Sequence, residues 1–173
     1  MQFYNGFSLA NGEHFFEAFL DTSDFCIAGF SYGGIKAIQE VQKRLENNLR
    51  VDKLQLLSPA FFQTKSEKFK RLQLMGYTRN SALYLKQFME LCFAPYSQKS
   101  VQHATQTKEE LEELLYYEWD IITLQKIKHA GVMIEVYLGG EDKIIDANGA
   151  KEFFQEVATV TFIKEANHFL QIN

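Results

Sequence analysis

Gly29-Phe30-Ser31-Tyr32-Gly33-Gly34 is the most constraining stretch of this chain. It follows an apolar run, Phe25-Cys26-Ile27-Ala28, that reads as a buried strand, and it precedes a helix-like stretch from Ile35 to Leu49. Strand, tight turn and helix around a G-x-S-x-G pattern force the serine into a strained backbone position and leave its hydroxyl exposed at the top of a sheet. A bulky neighbour at position 29 or 33 would clash in so sharp a turn, and glycine avoids this. Ser31 is therefore a candidate nucleophile; the plainer alternative is a bystander serine in a glycine-rich turn.

The chain has 173 residues, 46% of them hydrophobic and 23% charged, which is the profile of one globular domain with a sizeable core. Its net charge of −4 argues against general nucleic-acid binding. No apolar run approaches the roughly 18 residues that a membrane crossing needs. The N-terminus lacks the basic and apolar pattern of an export signal, and Cys26 and Cys92 form no metal or redox motif, so the expected location is the cytoplasm. Cys26 reads as a small buried hydrophobe. Nothing calls for a metal or a cofactor.

Outward from the serine turn, strands alternate with helices. Gln2-Phe3-Tyr4 reads as a strand ending in the turn Asn5-Gly6-Phe7. Phe15, Phe16, Phe19 and Leu20, spaced by three and four, predict a helix after Asn11-Gly12. Leu54–Leu57, Val132–Leu138 and Thr159–Ile163 read as further strands. Thr107 and Glu110 form a capping box that opens a helix predicted to continue to Lys128. Asp146 is placed to cap a helix over Ala147–Val157. The segment between Phe61 and Thr107 is aromatic, basic and mostly helical in pattern. This alternation predicts an α/β fold with a mostly parallel sheet of about five strands, in a single domain over 1–173. Ligands of such sheets bind beyond the carboxyl ends of the strands, where the serine turn and three other loops converge.

A serine hydroxyl needs a base to take its proton and a carboxylate to orient that base. With this kind of turn the chain order is serine, acid, histidine. His14 precedes the serine, His103 lies in the irregular basic segment, and His129 is explained by the helix end it would stabilise. His168, a few residues past the last strand, is the candidate base. Gly139-Gly140-Glu141-Asp142-Lys143 follows the penultimate strand and offers Asp142 as the acid, with Glu141 second. The oxyanion of a tetrahedral intermediate would be held by two backbone N–H groups, one from Tyr32 and one from Phe7.

With these residues in view, the chain resembles the α/β-hydrolase superfamily, and it looks most like the short pimeloyl-acyl-carrier-protein methyl ester esterases of biotin synthesis. The resemblance rests on Gln2–Phe7, Gly29–Ile38, Leu57-Ser58-Pro59, Phe69–Leu74, Val136–Gly139 and Asn167–Gln171, and covers most of the chain. It implies a serine carboxylesterase that hydrolyses the methyl ester of pimeloyl carried by acyl carrier protein. A thioesterase or generic short-ester hydrolase, and a non-catalytic module on the same fold, are the alternatives. The chain is far shorter than an ordinary member. Its helices should gather on one face of the sheet. The other face then needs a cover from the middle segment, the first helix or a second subunit in a homo-oligomer.

The segment 60–107 is expected to be a helical lid. Between Ala60 and Lys108 stand 8 basic side chains and 2 acidic ones, a balance of +6 in a chain of −4, which leaves −10 elsewhere. Lys65, Lys68, Lys70, Arg71 and Arg79 are the candidates for binding an acidic partner, and acyl carrier proteins are acidic. A merely solvated helix face is the alternative.

Overall fold

The chain is described by a computed structural model that covers all of its residues, Met1–Asn173. In chain order its elements are β1 (Gln2–Tyr4), β2 (Leu9–Ala10), β3 (Cys26–Phe30), α1 (Tyr32–Glu46), β4 (Lys53–Leu57), α2 (Glu67–Arg79) and α3 (Ser81–Phe93). Next come β5 (Gln102–His103), α4 (Lys108–Tyr116), α5 (Ile121–His129), β6 (Met133–Gly139), α6 (Ala147–Phe154) and β7 (Thr159–Ile163). Strands β1, β3, β4, β6 and β7 form one sheet in that spatial order, parallel throughout. Strands β2 and β5 form a separate antiparallel pair.

The connections from β3 to β4 and from β6 to β7 step in the same direction along the sheet, so right-handed crossovers put α1 and α6 on one face. Register identifies the residues that this face buries. Ile27 pairs with Leu54, Leu54 with Ile134, Leu56 with Val136, and all are buried.

The opposite face carries Ala28, Gln55, Glu135 and Thr159 in one cross-strand row, with Lys53 and Tyr137 beside them. No long helix covers it. Residues 13–21 cross it instead. Phe16 packs on Phe3 and Phe30, and Phe19 packs on Tyr137. The expected helix here is only a 3-10 turn, Glu13–Phe16. The backbone has other partners: Gln55 Nε2 donates to the Phe19 carbonyl at 2.9 Å, and Gln55 Oε1 accepts the Asp21 N–H at 2.8 Å. Gln55, 1% exposed, thus replaces helical bonds with side-chain bonds to the sheet.

Beyond that segment the face is polar rather than covered. Lys53 Nζ reaches Asp21 at 2.8 Å and Glu135 at 3.0 Å, and Glu135 also accepts from Gln55 and Tyr137. Thr159 and Thr161 face solvent. Of the three covers expected from sequence, the first segment supplies part, as a 3-10 turn and further turns rather than a regular helix.

Two further expectations are corrected. The helix from Lys108 does not run to Lys128: it stops at Tyr116, and Asp120 starts a new one by accepting the N–H groups of Ile122 and Thr123. The break lets Trp119 turn inward, where its ring meets Phe154 and its Nε1–H donates to the Ala60 carbonyl at 2.8 Å. The 60–107 segment is helical only to Phe93; its return path is extended and includes β5.

Burial alone would raise the Glu135 carboxyl, but hydrogen bonds from Lys53, Gln55 and Tyr137 bring it below its ordinary value of 4.5. A lowered carboxyl stabilises the fold above its unfolded value, and that contribution disappears as pH falls through the folded value. Glu135→Gln should therefore lower stability by about 1–3 kcal/mol at pH 7. Urea unfolding should show this difference shrinking once the pH drops below the ordinary glutamate range.

Candidate active site

Ser31 stands between β3 and α1 with φ 53° and ψ −117°. That conformation requires other chain segments to pass very close. A Cβ on Gly29 would lie 2.2 Å from the Gly33 carbonyl oxygen, and one on Gly33 would lie 2.1 Å from the Tyr4 carbonyl oxygen. The turn is also bonded to its neighbour strand, with Ser31 N–H donating to the Leu57 carbonyl at 2.9 Å and Ala60 N–H to the Ser31 carbonyl at 3.1 Å.

The loops after β6 and β7 bring Asp142 and His168 to this serine. Ser31 Oγ lies 3.0 Å from His168 Nε2, and His168 Nδ1 lies 2.6 Å from Asp142 Oδ2. Asp142 Oδ1 accepts the N–H groups of Ile144 and Ile145 at 2.7 and 3.2 Å. A carboxylate that only accepts fixes the imidazole proton on Nδ1, which leaves Nε2 to accept from the serine hydroxyl. Both side chains are fully buried, and Ser31 is 4% exposed. Glu141, the second candidate acid, pairs instead with Lys143 at the surface, and Asp146 caps α6.

Tyr32 is the first residue of α1, so its N–H has no carbonyl a turn earlier to bind. The Phe7 N–H also finds no acceptor in backbone or side chain. The Phe7 loop is held by two contacts: Asn5 Oδ1 accepts the Gly12 N–H at 2.6 Å, and β2 pairs with β5. The return strand of the 60–107 segment is thus bonded to the loop that follows β1.

Sequence reasoning assigned no part to Glu113 or Asn167. Glu113 on α4 accepts from the Tyr32 hydroxyl at 2.5 Å and from Lys36 at 2.8 Å, tying the first turn of α1 to the helix across from it. Burial, then the Glu113 carboxylate, pushes the Tyr32 hydroxyl up to about 12. Both cysteines are buried, and burial raises the Cys26 thiol to about 11, which keeps it unreactive.

A cavity of about 370 Å³ lies between α2, α3, α4 and the Lys143-Ile144 loop. Phe62, Phe69, Tyr84, Phe88, Leu111 and Leu115 are among its walls. None of Ser31, Asp142 and His168 lines it. It adjoins them through Ile144, whose N–H binds Asp142, and through Phe88, whose ring meets Phe7 edge-on at 6.0 Å.

Of the five basic residues proposed for partner binding, Lys68, Arg71 and Arg79 are exposed and Lys65 is half-buried. Lys70 is a correction. It is only 5% exposed, and its ammonium sits 4.9 Å from the centre of the Tyr116 ring, so it belongs to the packing between α2 and α4. The exposed face of α2 presents Lys68, Arg71, Leu72, Met75 and Arg79 at helical spacing. No ion pair in the chain includes a cation from 60–108.

No protein-family model and no curated protein matches the chain. Solved structures do match. The BioG protein from Haemophilus influenzae is 10% identical, with 98% of this chain covering 88% of that one at a TM-score of 0.58. A bromoperoxidase from Bacillus anthracis is 13% identical, 83% of this chain covering 60% of that one, TM-score 0.63. Naproxen esterase, a carboxylesterase from Bacillus subtilis, is 17% identical, 85% covering 54%, TM-score 0.53. The chain spans about half the length of that esterase. The likeness is one of fold: this is an α/β-hydrolase fold in reduced form. No helix is long and apolar enough to cross a membrane.

Gly33→Ala should cost about 3 kcal/mol, because the added methyl meets backbone that cannot swing aside. Chemical unfolding would read the loss, and the smaller Gly149→Ala clash with a side chain offers the comparison.

Proposed function

We propose that the chain is a serine carboxylesterase acting on the methyl ester of a dicarboxylic acyl chain, pimeloyl, carried by acyl carrier protein. One observation carries the hydrolase part: a serine at positive φ, a histidine and a buried carboxylate in hydrogen-bonding sequence. Ser31 Oγ attacks the ester carbonyl carbon while its proton passes to His168 Nε2. The carbonyl oxygen becomes an oxyanion held by the N–H groups of Tyr32 and Phe7. Its collapse breaks the bond to methoxide, which takes the proton from His168 and leaves as methanol. Water, deprotonated by the same imidazole, then releases the carboxylate and restores Ser31.

The carrier part rests on the resemblance in sequence and on charge. Lid cations without partners, alternating with exposed Leu72 and Met75 along α2, suit an acidic partner with apolar contacts at its centre. Because Ser31 is closed off, the lid must shift to admit a carrier-bound chain, and the adjoining apolar cavity supplies room for methylenes.

Ser31→Ala should lower hydrolysis of a small methyl ester by about 10⁶-fold. Failure of a serine-directed phosphonate to label Ser31 in the wild-type protein would favour a binding module. Reversing charge at Lys68, Arg71 and Arg79 should raise KM for the carrier-bound ester about 10-fold or more and leave small esters unaffected. Equal loss on both would mean damage to the lid. Comparing the carrier-bound methyl ester with the carrier thioester separates esterase from thioesterase.

A further inference from the structure

The loop that carries His168 is buried and rests on the Asp142 loop, where the Glu141 N–H donates to the Ala166 carbonyl at 2.8 Å, and on the Phe16 and Phe30 rings through Phe169. It follows β7, is not covered by a long helix, and turns back on itself through Leu170 at φ 58°. Asn167 closes it. Its Oδ1 accepts the N–H groups of Phe169 and Gln171, both at 3.0 Å. Its backbone N–H donates to the Gln171 carbonyl at 2.9 Å, and its carbonyl accepts the Leu170 N–H at 3.0 Å. The remaining polar group, Nδ2, reaches out of the loop and donates to the Phe93 carbonyl at 2.8 Å. Phe93 is the last residue of α3, and its carbonyl also accepts the Tyr96 N–H at 2.9 Å, so the bond lands on the turn that ends the helix. Asn167 is fully buried, so neither side of this bond can exchange it for water.

Two other contacts run the same way. The Tyr96 hydroxyl donates to the Glu165 carbonyl at 2.6 Å, and the Phe93 and Phe169 rings stack at 4.3 Å. Residues 93–96 thus grip the loop on both sides of the histidine, at 165 and 167 before it and at 169 after it. Nine residues on from Phe93, the same return segment enters its pairing with β2 beside Phe7.

We propose that Asn167 is a positioning residue for His168, and that its anchor outside the loop is the end of lid helix α3, so that seating of the lid tightens the alignment of the imidazole. The catalytic consequence rests on the reading of His168 as the base; the structural one does not. An imidazole misplaced by about 1 Å costs up to about 100-fold in rate without weakening binding.

The test uses two variants. Asn167→Asp keeps both acceptor bonds within the loop but sets an oxygen against the Phe93 carbonyl. Tyr96→Phe removes one lid contact without burying a charge. Two readouts are taken on each: kcat and KM for p-nitrophenyl acetate, and the low-field proton resonance of His168 Nδ1–H, assigned by its absence from His168→Gln. The expected result is a kcat lowered about 10- to 100-fold in Asn167→Asp and less in Tyr96→Phe, with KM within about twofold. The resonance should broaden or vanish in both. A resonance as sharp in both variants as in the wild type, or absent from the wild type, overturns the inference whatever happens to turnover. A wild type that shows the resonance but cleaves no ester refutes the esterase reading alone.

Discussion

Everything at this site depends on the close passage of backbone past backbone at the serine turn. Gly33 rests on the Tyr4 carbonyl and Gly29 on the Gly33 carbonyl, with no room for a methyl at either contact. That packing places the end of β1 directly beside the start of α1. It brings the loop that bears Phe7 next to the first turn of α1, although 25 residues separate Phe7 from Tyr32 in sequence. The same economy recurs at the acid. A Cβ on Gly139 would lie 2.3 Å from the Asn167 carbonyl oxygen, so the loops bearing Asp142 and His168 meet backbone to backbone. A site made this way is preorganised by exclusion of alternatives more than by the strength of any one bond.

Much of this was legible before any coordinates. Ser31, Asp142 and His168 were each singled out by residue type, chain order and position relative to a strand, and the structure brings the three within hydrogen-bonding distance. Those signals are local, and the rule of ligand binding at strand ends supplies the rest. The polar character of the second face is also written in the sequence, in the alternation Lys53-Leu54-Gln55-Leu56 and Ile134-Glu135-Val136-Tyr137. Parallel strands are expected to be apolar on both sides. Here the polar members mark the side that lost its helices.

What could not be read was long-range. Phe15, Phe16, Phe19 and Leu20 have helical spacing, yet Gln55, 36 residues away from Phe19, captures the carbonyl that a helix would use. Nothing near Lys70 in sequence signals that Tyr116 will roof it. The break before Asp120 was nearer to legible, since aspartate ahead of Thr123 is a cap as well as a helix residue; a capping signal inside an apolar pattern competes with its continuation, and the inward turn of Trp119 decided it. Asn167 shows the same limit. Its turn is local, but its fifth bond goes to residue 93.

The order of strands in the sheet is also their order in the chain. Each strand therefore docks on the edge left by the strand before it, and no later strand must be threaded between earlier ones. Such a sheet can grow in one direction during synthesis, with modest loop closure at each addition. Chemistry does not share that gradualness. Ser31 is set early by β1, β3 and β4, whereas the imidazole lies 137 residues further on and arrives only with the last loop. A partly made chain would hold Ser31 in place with no imidazole beside it, and the hydrogen-bonded trio would form late and all at once.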